Sequence, residues 1–110
     1  MFSDTFQKTY DFYKHLYENL RTISKRERFT WGNRVDQLAI DVLSLSAQAT
    51  YLPKQKKREA LENMSANVDL LKIILRIGFD LRILDQKKYI ARQGELQEIG
   101  KMLGGWMKKT

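Results

Sequence analysis

Apolar positions recur at helical spacing along almost the whole chain. Between residues 31 and 52, Trp31, Val35, Leu38, Val42, Leu45, Ala49 and Leu52 alternate steps of four and three. This alternation holds one stripe on one side of a helix and marks a seam against other helices rather than a strand. Upstream, Phe6, Tyr10, Tyr13, Tyr17 and Leu20 show the same steps, with Ser3 or Asp4 placed to cap the helix start. Downstream, Leu61, Met64, Val68, Leu71 and Leu75 form one stripe, and Leu70, Ile74, Ile77, Leu81 and Leu84 form a second beside it. A last segment, opened by Asp85 as cap, carries Tyr89, Leu96, Ile99, Leu103 and Trp106.

The breaks between these segments are few: "SKRE" at 24–27, Pro53, and "LDQ" at 84–86. Four helices of about 20 to 28 residues follow, each roughly 30 to 40 Å long at 1.5 Å rise per residue. Short connections favour antiparallel neighbours, so the expected fold is an all-α, up-down-up-down four-helix bundle forming a single domain over residues 1–110. The surplus stripe on the third helix has two readings. Either another subunit covers it, which makes Ile74, Ile77 and Leu81 interface residues, or the third helix is simply the most central one.

Composition narrows the chemistry. There is no cysteine and a single histidine, His15, so disulfides, thiolate metal sites and the usual multi-imidazole metal centres are not expected. No Glu-x-x-His pair of the di-iron bundle type is present, and no Gly-rich phosphate loop follows a strand. Glu59 with Glu62, and Glu95 with Glu98, read as solvated helix faces, and His15 as a surface residue between Asp11 and Glu18. No catalytic group, cofactor or metal is therefore expected. With no run approaching a membrane span or a signal h-region, the expected location is the cytoplasm.

Charge is the strongest remaining signal. Twenty Lys and Arg against thirteen Asp and Glu give +7, and the excess is uneven. Lys25, Arg26, Arg28 and Arg34 exceed Glu27 in residues 24–34, while Lys54, Lys56, Lys57 and Arg58 are unopposed in residues 53–58. In an antiparallel bundle the first cluster meets Lys87 and Lys88 at one end, and the second meets Lys108 and Lys109 at the other. Two basic poles result, suited to polyanions such as RNA or DNA. Lys72 and Arg76, four residues apart on the third helix, either extend a lateral basic strip or pair with Asp69 and Asp80 as helix-surface ion pairs.

The closing "GKMLGGWMKKT" places Gly100, Gly104 and Gly105 in a helix, at about 1 kcal/mol each relative to Ala. Gly100 and Gly104 share one side while Trp106 stays in register with the core, which marks a place where a neighbouring helix or subunit approaches bare backbone. Gly105 alone fits a C-cap.

Three stretches, "RERFTWGNRV" at 26–35, "LRIGFDLRILDQKKY" at 75–89 and "IGKMLGGW" at 99–106, carry a family likeness. The chain resembles the Avd (accessory variability determinant) family of diversity-generating retroelements, and more broadly the four-helix-bundle family that includes proteins encoded in 23S ribosomal RNA intervening sequences. Arg28–Phe29 and Leu103–Gly104–Gly105–Trp106 are its most specific parts. The resemblance implies a homopentamer of four-helix protomers arranged as a basic barrel. It also implies association with the retroelement reverse transcriptase and with its template RNA and DNA, in support of mutagenic copying and retrohoming without catalysis by this chain. The other reading is a bundle scaffold of the intervening-sequence type, whose positive charge docks an acidic protein surface and binds no nucleic acid.

Overall fold

The computed structural model describes residues 3–110. Four helices run through it: α1 (Asp4–Leu20), α2 (Lys25–Glu27, a π-helical turn Arg28–Gly32, then Asn33–Ala49), α3 (Lys54–Asp80) and α4 (Gln86–Lys108). No strand occurs among the described residues. α2 packs on α1 and α3, and α4 closes the ring against α3 and α1. The 27 residues of α3 span about 40 Å, close to the 42 Å long axis of the molecule.

Each start has a local cause. The Ser3 and Asp85 side chains accept hydrogen bonds from the Phe6 and Lys88 amides at 3.1 and 2.8 Å, satisfying otherwise orphaned donors. "SKRE" is a start as well as a break, because the Ser24 hydroxyl accepts from the Glu27 amide. Pro53 opens α3 without a side-chain cap, its missing N–H costing nothing there. At the other end of α3, Arg82 adopts φ 63°, and the Arg82 and Ile83 amides donate to the Phe79 and Gly78 carbonyls. This is a Schellman ending with an arginine at the left-handed position usually given to glycine.

α1 departs from the expected register by one residue. Its buried face is Thr5, Thr9, Phe12, Leu16, Asn19 and Leu20, whereas Tyr10 and Tyr17 are exposed. The aromatic stripe has hydroxyls that prefer water, and the buried threonine satisfies its own hydroxyl, Thr9 Oγ1 donating to the Thr5 carbonyl at 2.8 Å. On α2 the seam Trp31, Val35, Val42 and Ala49 is buried as expected, but Ala39 and Ser46 replace Leu38 and Leu45 at its centre, and those leucines flank it half-buried. Small residues on the centre line let α2 and α3 approach closely. The expected stripe Leu61, Met64, Val68, Leu71 and Leu75 is the core face of α3, and Leu96, Ile99 and Leu103 are that of α4.

The tightest contact joins α2 to α3. The Trp31 indole lies on Gly78, where an added Cβ would come within 2.3 Å of the ring, and its Nε1–H donates to the Ile74 carbonyl at 2.9 Å. Here glycine is required by close approach. The π turn beside it has its own support. The Thr30 hydroxyl donates to the Arg26 carbonyl at 3.2 Å and the Asn33 amide to the Phe29 carbonyl at 3.1 Å, serving acceptors that a widened turn leaves poorly paired.

The closing glycines behave otherwise than the C-cap expectation. α4 remains helical through Lys108, and no glycine has positive φ, so Gly105 lies inside the helix. Nothing in the protomer lies within 4 Å of a Cβ built on Gly104 or Gly105, and Gly100 meets only the Lys72 ammonium at 3.8 Å. Among the described residues, no helix packs its backbone or an apolar side chain on Gly100 or Gly104. Trp106 packs half-buried on the core.

Gly78→Ala should destabilise the chain by about 1–3 kcal/mol, because Trp31 must leave its seat. Chemical denaturation with Trp31 fluorescence as probe checks this, and an unchanged midpoint would show that the indole does not occupy the Gly78 surface.

Candidate nucleic-acid interface

The cations gather at the two ends of the bundle. At the first, Lys88 Nζ donates to Thr22 Oγ1 at 2.9 Å, tying the α3–α4 connection to the α1–α2 connection. Lys25, Arg26 and Arg28, all exposed, begin α2 at this end, and Arg34 is exposed further along it. At the second, Arg58 donates to the Met107 carbonyl at 3.3 Å, which brings the start of α3 against the end of α4 with Lys108 and Lys109. Lys54, Lys56 and Arg58 are exposed and Lys57 is half-buried.

Among the described residues, Lys25, Arg26, Arg28, Arg34, Lys54, Lys56, Lys57, Lys108 and Lys109 make no ion pair within 4.0 Å, while Arg58 reaches Glu62 at 3.9 Å. Their positions are electrostatically costly. Lys25 and Arg26 open α2, Lys54, Lys56, Lys57 and Arg58 open α3, and Lys87 and Lys88 open α4. All face the positive ends of helix dipoles, where an anion would be favoured. The first turn of α3 contains no acidic residue to offset them, whereas Glu27 lies in the first turn of α2 and the Asp85 cap stands 3.9 Å from the Lys88 ammonium at the start of α4. At the start of α3, where Lys54 and Lys56 lie in a first turn without an acidic residue, the conflict fits a surface completed by a bound polyanion.

The lateral strip is weaker. Arg76 pairs with Asp80 at 3.0 Å, and the Asp80 hydrogen bond, followed by Tyr89, holds its guanidinium above the usual arginine value. The ion-pair reading of Arg76 therefore holds. Lys72 makes no pair with Asp69 and instead extends along α4 toward Gly100. Arg92 turns away to α1, its Nη1 donating to the buried Asn19 side chain at 2.9 Å.

A polar clasp there escaped the sequence pattern. Glu95 is 13% exposed and not a solvated face residue, lying 2.6 Å from both His15 Nδ1 and Arg92 Nε. The Arg92–Glu95 approach is an ion contact without an aligned hydrogen bond. His15 thus belongs to an α1–α4 contact and not to the Asp11 and Glu18 cluster. A charge at heptad spacing gives no sign of burial unless its partner helix is known.

The second apolar stripe of α3 is shifted by one residue at its centre. Leu70, Ile73, Ile77 and Leu81 are exposed, Leu81 by 66%, while Ile74 packs on the core with its carbonyl holding Trp31, and Leu84 is buried. Leu70, Ile73, Ile77 and Leu81 are thus left uncovered by the described residues of the protomer.

Two depressions lie on the α2 side of the first pole. One, about 210 Å³, is lined by Tyr13, Tyr17, Leu20, Arg21, Arg28, Gly32, Asn33 and Asp36. The other, about 320 Å³, is lined by Lys25, Arg28, Phe29 and Asn33. Tyr13 donates to Asp36 Oδ1 at 2.7 Å. Burial first, then that bond and the Asp36 charge, raise its phenol from 10.0 to about 12. Among the described residues, no group of three or more His, Asp or Glu is placed to hold a metal, and no helix is long and apolar enough to cross a membrane.

A ring of four antiparallel helices with cations massed at its ends and an exposed apolar stripe on one side defines a small basic helical-bundle protein. The chain matches the bAvd-like family over residues 5–110 and belongs to it, an Avd-type accessory protein. No curated protein matches it.

Tyr13 should ionise near pH 12 in the folded chain, as followed by tyrosinate absorbance, and Asp36→Asn should lower that midpoint. Because the folded value is raised, the associated stability is complete below pH 10.0 and is lost as pH rises through about 12. A midpoint unmoved by Asp36→Asn would show that the bond does not form.

Proposed function

We propose that this chain is a non-enzymatic accessory protein of a diversity-generating retroelement, which binds the reverse transcriptase and its template RNA and DNA and supports mutagenic copying and retrohoming. Membership of the bAvd-like family over nearly the whole chain carries the reading. The exposed cations at both poles, those at the start of α3 set against a helix dipole with no acidic residue in the first turn, support the nucleic-acid part. Lys25, Arg26, Arg28 and Arg34 at one pole, and Lys54, Lys56, Lys57, Arg58, Lys108 and Lys109 at the other, are the phosphate-facing groups of this reading. Lys72 flanks them and Arg76, held by Asp80, contributes least.

RNA affinity should fall steeply with salt, with a log–log slope near −3 to −4 between about 50 and 200 mM if only four phosphates are engaged. Lys54→Glu with Lys56→Glu, both exposed and unpaired, should weaken binding across sequences without shifting sequence preference. A slope near zero contradicts nucleic-acid binding and favours the scaffold of the intervening-sequence type.

In the same reading the active form is a homopentamer. Support comes from the uncovered stripe at Ile77 and Leu81, joined by Ile73 and Leu70, and from bare helical backbone at Gly104, which no described residue of the protomer covers, with Gly100 met only by the Lys72 ammonium. Such a face is apolar enough for a subunit contact. Light scattering at micromolar concentration should give five times the 13.0 kDa chain mass. Gly104→Leu should reduce that mass with far-ultraviolet helicity retained, and a wild-type monomer would contradict the assembly.

A further inference from the structure

Resting on the RNA-binding reading above, we propose that the strip from Tyr17 on α1 across Arg28 and Asn33 to Phe29 on α2 seats two successive unpaired nucleotides of single-stranded RNA. The two depressions described at the first pole share Arg28 and Asn33 as a common ridge. A ring stands on each side of that ridge: Tyr17, 51% exposed, and Phe29, 66% exposed. Exposed rings of this kind are platforms for bases, which stack on them regardless of sequence once unpaired.

The cations lie where a strand's backbone would run. Arg28, unpaired, stands between the two rings, in reach of the phosphate that links the two nucleotides. Lys25 lines the Phe29 side. Arg21 lines the Tyr17 side, held only by a solvent-exposed pair with Glu18 at 3.4 Å, which a phosphate can displace. Asn33 offers an amide whose other hydrogen bond, to the Phe29 carbonyl, fixes its direction. The π turn shapes this surface: it carries Phe29 outward while Trp31 faces the core. A duplex hides the faces of its bases and gains nothing from the two rings. Charged groups on every side of the strip set it apart from the uncharged α3 stripe assigned to contacts between copies.

The test compares an unstructured oligoribonucleotide with a hairpin duplex of the same length, using wild type, Tyr17→Ala, Phe29→Ala, Tyr17→Phe and Arg28→Ala. Each ring-to-Ala change should weaken single-strand binding about tenfold, with the salt slope and duplex affinity unchanged. Tyr17→Phe should bind like wild type. Arg28→Ala should reduce the slope by about 1. The proposal is overturned if the alanine variants bind single strands like wild type, lose single-strand and duplex affinity equally, or alter the assembly mass. A steep wild-type slope with inert Ala variants removes the strip and leaves the RNA reading standing, whereas a flat wild-type slope removes both.

Discussion

The seating of Trp31 on Gly78 is the contact from which the geometry of the first pole follows. An indole laid on bare backbone, with its N–H bonded to the Ile74 carbonyl, fixes the rotation and the height of α2 against α3 at once. A larger side chain at position 78 would prop the helices apart, and a smaller one at position 31 would lose the indole bond to the Ile74 carbonyl and leave a hole beside Gly78. The π turn brings Trp31 and Gly32 together onto the buried side. Arg28, Phe29 and Asn33 are then carried to the outside, where the cations and the aromatic ring meet solvent.

The Gly78 carbonyl also accepts the amides of Ile83 and Leu84, so the residue that receives Trp31 forms the turn into α4. That turn places Arg82 in the left-handed region and delivers Lys88 to Thr22. One small residue therefore links helix packing, the α3–α4 reversal and the joining of two cationic connections. Among the described residues, Arg58 on the Met107 carbonyl is one cross-connection at the second pole, and a solvent-exposed bond of this kind contributes little.

Helix number, order and antiparallel ring were legible in the sequence because the 4, 3 periodicity is long and its breaks are few. The gathering of cations at two ends followed from connectivity alone. What escaped the pattern did so for physical reasons. On α1 the tyrosines draw the eye to a stripe one residue from the true face, since burial there uses threonines that satisfy their own hydroxyls. On α2 the centre line runs through Ala39 and Ser46, too small to stand out beside Leu38 and Leu45. Gly78 resembles any other helical glycine until the indole is known to lie on it, whereas the conspicuous Gly104 and Gly105 face no neighbour in the protomer. Glu95 reads as a surface charge until α1 supplies His15 and α4 supplies Arg92.

The first pole is preformed: Trp31 locks α2 before any partner arrives, so the cations and Phe29 stand ready. Hydrogen exchange of the Trp31 indole N–H, followed by NMR with and without single-stranded RNA, tests this most directly. Exchange only through global unfolding in both conditions is the predicted result. Fast exchange in the free protein that slows only when RNA is bound would contradict it.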